Sequence, residues 1–344
     1  MKHITIKALI IFLIFSIQSC STKDCIELED NVPTQTICEN GLLIMRSEDI
    51  GQPLFSLDSI SKPVTKPLNF QNIRQDAQDD MQFDVITRPS NYDAYDAVNQ
   101  MYYIEFPLEQ RLYKYNIQTQ TRQEFTVAGF YSAPVFNNGN LYAITIDNNG
   151  YATNPANYTI ESINTNDGSL TALATNSFPL QSYFNWESMS SASNGNGMLY
   201  FVSGSHLISY DTVSTSTQYT DLVPGFDFTT NFQIFFGLEL RDNGNLLAIR
   251  ERDNDQGEGI ELVEINISNF SQNPTVVFDF TANGIEPNSE FYSTTYDACD
   301  DNYYVTSLNS DFTTTDFYQI DLSTGTVLSE NHSFYLMGIE SKTN

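Results

Sequence analysis

A single motif recurs six times along this chain and restricts the folds that are open to it. In each copy a short apolar or aromatic strand ends in Asp or Asn and a polar turn follows. The six terminal residues are Asp58, Asn116, Asn164, Asp211, Asn266 and Asp321. Successive copies are 58, 48, 47, 55 and 55 residues apart. Self-similarity at such a period predicts an architecture of repeated units.

A second marker precedes each copy, namely a turn rich in Asn and Gly that leads into an apolar strand. Clear examples are Asn138-Gly139-Asn140, Asn196-Gly197 and Asn243-Gly244-Asn245. Asn and Gly tolerate the positive φ that tight hairpins need, so each turn predicts a hairpin. Four strands in about 50 residues is the size of one propeller blade. The sequence therefore predicts an all-β, six-bladed β-propeller. Five or seven blades, a β-sandwich and a β-solenoid are the alternatives.

The two ends of the chain favour a closed ring. The first unit has no clear strand ahead of Asn40, whereas residues 335–341 look like a surplus first strand similar to residues 235–240 of the fifth unit. We expect the C-terminal strand to complete the N-terminal blade, because closure removes the exposed sheet edges of an open array. Residues 62–91 predict a long polar insertion between the first and second blades.

The first twenty residues predict an export signal. Lys2 and Lys7 flank the start of the apolar run 8–15, which is shorter than the roughly 20 apolar residues of a membrane-spanning helix. The following Ile17-Gln18-Ser19-Cys20 resembles a bacterial lipobox. That resemblance implies an outer-membrane lipoprotein, facing the periplasm or the exterior, that is attached to the membrane through a lipid on Cys20.

Three segments follow from this interpretation. We expect residues 1–20 to be a lipoprotein signal peptide, residues 21–31 a tether, and residues 32–344 a single propeller domain. Simple secretion with cleavage near Cys20 is the alternative to lipid attachment.

The charge balance narrows the range of partners. The chain has 43 acidic and 15 basic residues, with a net charge of −28. Such a charge opposes binding to nucleic acid or to an anionic lipid surface. Carbohydrate or another surface protein is the partner that we expect.

Cysteine spacing predicts one disulfide in an oxidising compartment. Cys25 and Cys38 are close enough in sequence to close a short loop, and Cys38 with Cys299 is the alternative pair. Zinc binding is not expected, because the chain has no CxxC and no nearby histidine cluster.

Two groups of carboxylates are candidates for calcium. Asp253, Asp255 and Glu258 lie in a short loop with Gly257 and place oxygen ligands at alternate positions, as Ca²⁺ prefers. An ordinary polar turn is the alternative. The other group lies on the predicted first strands, which line the central channel: Asp93, Asp96, Glu187, Glu239, Asp297 and Glu340. Converging carboxylates raise one another's pKa or recruit a cation.

The channel carboxylates resemble those of the gluconolactonase-like six-bladed propellers in architecture and residue type. In that family the channel holds a calcium ion bound by Glu, Asn and Asp. The resemblance implies calcium as the candidate cofactor but matches no ligand residue by residue. From their place on the first strands, Asp96, Glu239 and Glu340 are candidate ligand-binding residues at the channel mouth. An acidic, hydrated channel without chemistry is the alternative.

A third candidate site is a cluster suited to carbohydrate. Trp186 is the only tryptophan and lies between Asn185 and Glu187 at the start of a predicted channel-lining strand. An aromatic ring, an amide and a carboxylate together form a reasonable site for a polar ligand. A core tryptophan is the alternative. Ser-His-Asp catalysis is not expected from Ser205-His206, because a base adjacent in sequence to its nucleophile seldom reaches it correctly.

The element Tyr318-Gln319-Ile320-Asp321-Leu322-Ser323-Thr324-Gly325 is similar to one found in YncE-like and NHL-like bacterial propellers. This resemblance concerns architecture and not activity. We therefore expect an exported, lipid-anchored propeller that acts as a ligand- or protein-binding module at the cell surface, and not an enzyme. A calcium-dependent hydrolase or lactonase that uses the channel carboxylates is the alternative.

Overall fold

The structure is a computed structural model that describes residues 41–47, 54–77, 92–106, 110–128, 131–146, 157–178, 189–227, 229–254, 257–270, 272–288, 292–309 and 313–342. They all belong to one compact unit, Cys38–Asn344, and residues 1–37 lie outside the described residues. The predictions of a signal peptide, a lipidated Cys20 and a tether also lie outside them and stay predictions.

Within the described residues the chain forms 24 strands in six four-stranded antiparallel sheets. Each sheet is one blade, and its strands follow here from the inner to the outer one. Blade 1 comprises Tyr335–Ser341 (β24), Leu42–Ser47 (β1), Leu54–Ile60 (β2) and Phe70–Ala77 (β3). Blade 2 comprises Asp93–Asp96 (β4), Met101–Phe106 (β5), Arg111–Asn116 (β6) and Thr121–Thr126 (β7). Blade 3 comprises Tyr131–Asn137 (β8), Asn140–Ile146 (β9), Asn157–Ile163 (β10) and Leu170–Ser177 (β11).

The other three blades have the same order. Blade 4 comprises Ser190–Ser193 (β12), Met198–Ser203 (β13), His206–Asp211 (β14) and Ser216–Asp221 (β15). Blade 5 comprises Asn231–Leu240 (β16), Leu246–Asn254 (β17), Gly257–Ile265 (β18) and Thr275–Asp279 (β19). Blade 6 comprises Tyr292–Asp297 (β20), Asn302–Leu308 (β21), Thr315–Asp321 (β22) and Thr326–His332 (β23). A short 3-10 turn, Thr281–Asn283, follows β19. The predicted six-bladed propeller is confirmed.

The ring is closed by the C-terminal strand, as the two ends of the sequence predicted. β24 pairs antiparallel with β1, with Glu340 opposite Leu43 and Ser341 opposite Leu42. The inner strands of the six blades contact one another in cyclic order, including β24 with β4 and with β20. The predicted insertion at residues 62–91 is wrong in part, because Phe70–Ala77 within it forms the outer strand of blade 1 and pairs with β2.

The recurring Asp or Asn has a structural role that explains the repeat. In five blades its side chain accepts a hydrogen bond from a backbone N–H two or three residues later, as from Thr119 N to Asn116 (2.8 Å) and from Ser323 N to Asp321 (2.9 Å). This Asx turn lets the chain reverse from the third strand to the fourth. Asp58 in blade 1 differs, because it accepts a hydrogen bond from Arg46 Nε (2.8 Å) instead.

The core lies in the clefts between neighbouring blades. Six apolar clusters occur among the described residues, and each joins two adjacent blades. Leu43 of blade 1 packs with Tyr102 of blade 2, and Leu42 packs with Tyr304 of blade 6. Tyrosine and phenylalanine supply the largest buried side chains. Each blade is therefore stabilised mainly by its neighbours, which places the inner strands at fixed positions around the channel.

Candidate functional site

Three carboxylates from the inner strands of blades 1, 2 and 5 form a coupled cluster around the channel. They are Glu340 on β24, Asp93 on β4 and Glu239 on β16, and we call them the channel carboxylates. Asp93 is buried, and Glu239 and Glu340 are half-buried residues whose carboxyl groups are shielded from water. The charges of Asp93 and Glu239 act on Glu340, and the charge of Asp93 acts on Glu239. The structure thus brings Glu239 and Glu340 together with Asp93.

The backbone of two blades brings these side chains together. β16 and β24 each contain a β-bulge. The bulge of β16 spans residues 236–239 and ends in Glu239, and that of β24 spans residues 336–338 and ends two residues before Glu340. Each bulged strand is tied to the inner strand of the preceding blade, because Leu238 N donates to Ser190 Oγ (2.9 Å) and Ile339 N donates to Ser293 Oγ (3.0 Å). Bulges re-aim side chains next to functional sites, and these two lie close to the channel carboxylates.

Hydrogen bonds from neighbouring hydroxyl groups orient two of the channel carboxylates. Tyr102 donates to Asp93 Oδ2 (2.9 Å) and Ser293 donates to Asp93 Oδ1 (3.3 Å). Thr294 Oγ1 donates to Glu239 Oε1 (3.0 Å). Blade 6, which carries Ser293 and Thr294, therefore links the carboxylate of blade 2 to that of blade 5.

Burial decides the protonation of the channel carboxylates. It raises the pKa of Asp93 to about 7, although the hydrogen bonds from Tyr102 and Ser293 lower it. It raises the pKa of Glu239 well above the ordinary value, and the charge of Asp93 adds to this. It also raises the pKa of Glu340, with the charges of Asp93 and Glu239 acting in the same direction. Burial and mutual repulsion thus favour the protonated forms of these carboxyl groups, and a cation that bound there would compete with those protons.

The other predicted channel residues lie elsewhere or outside the described residues. Asp96 is at the end of β4, where its carboxylate accepts hydrogen bonds from the backbone (3.0 Å) and the side chain (2.7 Å) of Asn99 and so caps the turn to β5. Asp297 is buried and accepts a hydrogen bond from Cys299 N (2.9 Å). Asn185, Trp186 and Glu187 fall outside the described residues, so the predicted carbohydrate cluster stays a prediction.

The predicted calcium loop is the hairpin between β17 and β18. Asp253 and Glu258 are exposed and lie directly opposite each other on the two strands, whereas Asp255 falls outside the described residues. Among the described residues no group of three or more His, Cys, Asp or Glu side chains is placed to hold a metal ion. The calcium site in this loop stays a prediction.

Cys299 forms a disulfide in the turn between β20 and β21. The other three cysteines, Cys20, Cys25 and Cys38, fall outside the described residues. The sequence offered Cys25–Cys38 and Cys38–Cys299 as pairs, and both stay predictions.

Ser205, His206 and Asp221 stand in the order of a catalytic triad. Ser205 Oγ is 3.1 Å from His206 Nε2, and His206 Nδ1 is 3.7 Å from Asp221 Oδ1. Ser205 is fully buried, however, and His206 is nearly so. Burial lowers the pKa of His206 to about 4, against the charge of Asp221. A buried nucleophile beside a histidine that makes no hydrogen bond to Asp221 does not support acyl transfer.

An open groove of about 670 Å³ lies in the cleft between blades 4 and 5. We call it the blade 4–5 groove, and its main lining residues are Leu222, Asn231, Gln233, Arg250, Arg252 and Asn273. Arg250 and Arg252 alternate along β17 and so face the same side, towards blade 4. The spacing of the two arginines was visible in the sequence. The sequence did not show that they face the loop after β15, because β17 and that loop belong to different blades.

The two arginines of the groove share one carboxylate. Arg250 donates through Nε to Glu261 Oε2 (3.1 Å), and Arg252 donates through Nη2 to Glu261 Oε1 (3.2 Å) and through Nη1 to Gly257 O (2.7 Å). Burial raises the pKa of Glu261, but the hydrogen bonds and charges of the two arginines outweigh it, so the net shift is downward. Glu261 is therefore ionised, and the three side chains carry one net positive charge.

Comparisons with known proteins define the fold and no more. No protein-family model matches the chain, and no curated protein matches it. Within the described residues no helix has the length and hydropathy needed to span a bilayer. Among solved structures the chain resembles one from a nidogen/laminin complex, with a TM-score of 0.54 and 10% identity over 88% of this chain and 98% of that one.

Two further solved structures are similar at lower scores. A protein from Lactobacillus plantarum has a TM-score of 0.48 and 11% identity, covering 87% of this chain and 98% of its own. An oligogalacturonate lyase in complex with manganese has a TM-score of 0.47 and 8% identity, covering 83% and 77%. At such identities the likeness concerns the propeller fold alone, which many unrelated functions share.

Proposed function

We propose that this protein is an exported, lipid-anchored β-propeller that acts as a binding module at the cell surface, with the blade 4–5 groove as its ligand site. The observation that carries the proposal is the pair Arg250 and Arg252 in an open groove of about 670 Å³. Small-molecule sites span roughly 300–1,000 Å³ and combine apolar walls with a few placed polar groups. The groove has this size, but its lining is more polar than apolar, which suits a polar ligand.

The electrostatics of the whole chain make this groove distinctive. A protein with a net charge of −28 repels anions at most of its surface. In the groove two guanidinium groups share one carboxylate and border an open cavity. Arg74 and Arg122 also share one carboxylate, that of Asp76, so it is the open cavity that sets the groove apart. A cavity lined in this way favours a ligand with a negative group and orients it by the planar donors of arginine.

Binding through the groove is tested with arrays of defined acidic, neutral and basic glycans and peptides. We expect the full-length protein to bind at least one array feature, and the double variant Arg250→Gln/Arg252→Gln to lose that binding. Arg111→Gln is the matched control, because Arg111 pairs with Glu124 (2.8 Å) on blade 2, away from the groove. Array binding that the double variant retains would move the ligand site elsewhere on the propeller, and no binding at all would contradict the proposal.

The lipid anchor is tested separately. Cells expressing the chain and fed a radiolabelled fatty acid should incorporate label into the protein, and Cys20→Ser should abolish incorporation. Export without label in the native chain would contradict lipid attachment and favour simple secretion.

A further inference from the structure

The arginine pair of the blade 4–5 groove has capacity for one more anionic partner. Each guanidinium has more N–H donors than Glu261 and Gly257 accept. Arg252 Nε is buried and has no acceptor among the described residues, so the donors that Arg252 offers to the groove are those of its Nη groups. The side chains of Arg250 and Arg252 are 14% and 19% exposed, so both border the open groove. A single additional carboxylate would balance the net charge of the two arginines and Glu261.

The charge of the chain limits the number of anionic groups that the ligand carries. With a net charge of −28, the protein repels a polyanion at long range. A ligand with one carboxylate gains the contact with the arginines and avoids most of that repulsion. Arginine's planar fork matches a carboxylate in two parallel hydrogen bonds, which fixes the orientation of the ligand.

The rest of the groove wall suits hydroxyl groups. Gln233 donates to Asn231 Oδ1 (2.9 Å), and Asn231 donates to Gly225 O (3.2 Å), so these two amides are held in place at the edge of the groove. Thr230 and Asn273 add a hydroxyl and a third amide. Amides donate and accept, as sugar hydroxyls do, and their presence suits a sugar better than a fatty acid or an aromatic acid, which would need a wholly apolar wall.

Apolar side chains also line the groove. Leu222 and Val223 are buried beneath it, whereas Pro224 is exposed and Pro274 is half-buried. The two prolines offer contact to the C–H face of a sugar ring, whose hydroxyl groups would then bind the amides. The ring, the hydroxyls and the acid group each have a matching part of the wall.

We propose that the blade 4–5 groove binds a sugar acid, with its carboxylate held by Arg250 and Arg252 and its hydroxyl groups by Asn231, Gln233 and Asn273. This inference rests on the groove being the ligand site of the binding module. It adds the chemical class of the ligand.

Isothermal titration of the full-length protein with three probes tests the class. The probes are glucuronate, glucose, which has the hydroxyls without the acid, and acetate, which has the acid without the hydroxyls. We expect glucuronate to bind at least about tenfold more tightly than either, since each half of the ligand contributes charge-assisted or neutral hydrogen bonds. Equal binding of glucuronate and glucose, or no binding of glucuronate, would overturn the proposal.

Variants test which groove residues bind the carboxylate of the ligand and which bind its hydroxyl groups. Arg252→Gln should weaken glucuronate binding about tenfold and leave glucose unchanged, whereas Arg111→Gln should change neither. Asn273→Ala leaves the arginine–Glu261 contacts intact and so guards against misfolding. It should weaken glucuronate and glucose together without affecting acetate. Glucuronate binding that survives both groove changes would overturn the assignment to this groove.

The outcomes separate the ligand class from the binding function. If the arrays reveal a ligand that depends on Arg250 and Arg252 while glucuronate does not bind, the binding module stands and the sugar-acid proposal fails. If neither experiment shows binding, both fail.

Discussion

At the scale of a residue, two buried carboxylates differ in whether hydrogen bonds compensate their burial. Asp58 is fully buried but accepts hydrogen bonds from Arg46 Nε (2.8 Å) and Asn72 Nδ2 (3.1 Å). Glu105 on β5 is 1% exposed, and neither of its carboxylate oxygens has a hydrogen-bond partner among the described residues. Burial alone raises the pKa of Glu105 well above its ordinary value. Glu105 is therefore protonated in the folded protein at a pH where it ionises in the unfolded chain.

Glu105 is expected to make stability depend on pH. Below the unfolded pKa of about 4.3 Glu105 is protonated in both the folded and the unfolded chain, so its ionisation does not change the free energy of unfolding. As the pH rises further, the unfolded chain releases the proton and the folded protein keeps it. The free energy of unfolding then falls by about 1.4 kcal/mol per pH unit until the folded pKa is reached. Glu105→Gln removes this loss, so its advantage over the native chain should grow with pH.

Urea unfolding at about pH 4 and about pH 7 measures that difference for Glu105→Gln. Glu258→Gln is the control, because Glu258 is exposed and its replacement should change stability by less than about 0.5 kcal/mol at either pH. An advantage of Glu105→Gln that stays constant between the two pH values would show that ionisation of Glu105 is not its cause.

The channel carboxylates are expected to titrate as a unit. The charges of Asp93 and Glu239 both raise the pKa of Glu340. Asp93→Asn and Glu239→Gln should therefore each lower the pKa of Glu340, followed by carboxyl carbon NMR as a function of pH. Asp253→Asn, on the exposed hairpin, should leave that titration unchanged. A Glu340 titration that does not respond to either channel variant would contradict the coupling.

At the scale of an element, glycine permits the bulges that place Glu239 and Glu340. Gly237 has φ +62°, and a Cβ there would lie 2.7 Å from Tyr303 Oη and 2.9 Å from Thr294 Cγ2. At Gly338 a Cβ would lie 2.7 Å from Asp93 Oδ2. In both blades the backbone therefore lies so close to the next blade that a Cβ would have to displace a neighbouring side chain.

Comparing Gly237→Ala with Gly325→Ala separates the effect of this close approach from the effect of backbone strain. Gly325 has a similar φ of +70°, but a Cβ at this position would have no atom within 4 Å, so Gly325→Ala carries the strain of positive φ alone. We expect Gly237→Ala to be the more destabilising by about 1–3 kcal/mol, because it also overpacks the cleft between blades 5 and 6. Chemical denaturation of both variants measures the difference. Equal losses would mean that the cleft accommodates the extra methyl group.

At the scale of the whole molecule, closure by β24 determines whether the ring is continuous. Leu336, Met337 and Ile339 of this strand are buried, and they belong to the clusters on both sides of blade 1. Removing β24 would expose those clusters and leave β1 as an open sheet edge, which favours aggregation.

Deletion of residues 335–344 is therefore expected to abolish cooperative unfolding, followed by circular dichroism against temperature. Deletion of residues 343–344 alone is the control and should preserve the transition. Ile339→Ala provides a graded test within the intact ring and should cost about 2–5 kcal/mol. A cooperative transition at the native midpoint after loss of residues 335–344 would contradict a structural role for closure.

The repeat made the fold predictable, whereas the sites depended on which repeats meet. The Asx turns and Asn-Gly hairpins are local, so their spacing revealed four strands per blade and six blades. Glu239 and Glu340 were recognisable as channel residues because both follow a glycine at matched positions. The sequence did not distinguish Asp96 from Asp93. The pairing of β4 with β5 decides that Asp93 lies among the channel carboxylates and that Asp96 caps the turn to β5.

By itself the sequence determined what depends on neighbours along the chain: the strand–turn period, the blade count and the unpaired strands at the two ends. Only the tertiary structure decided what depends on contact between blades. It brought Ser293 and Thr294 against carboxylates of blades 2 and 5, left Glu105 without a hydrogen-bond partner among the described residues, and set Arg250 and Arg252 opposite the loop after β15. The physical reason is that hydrogen bonds of a turn form over a few residues, whereas burial and charge pairing act between segments that only closure of the ring brings together.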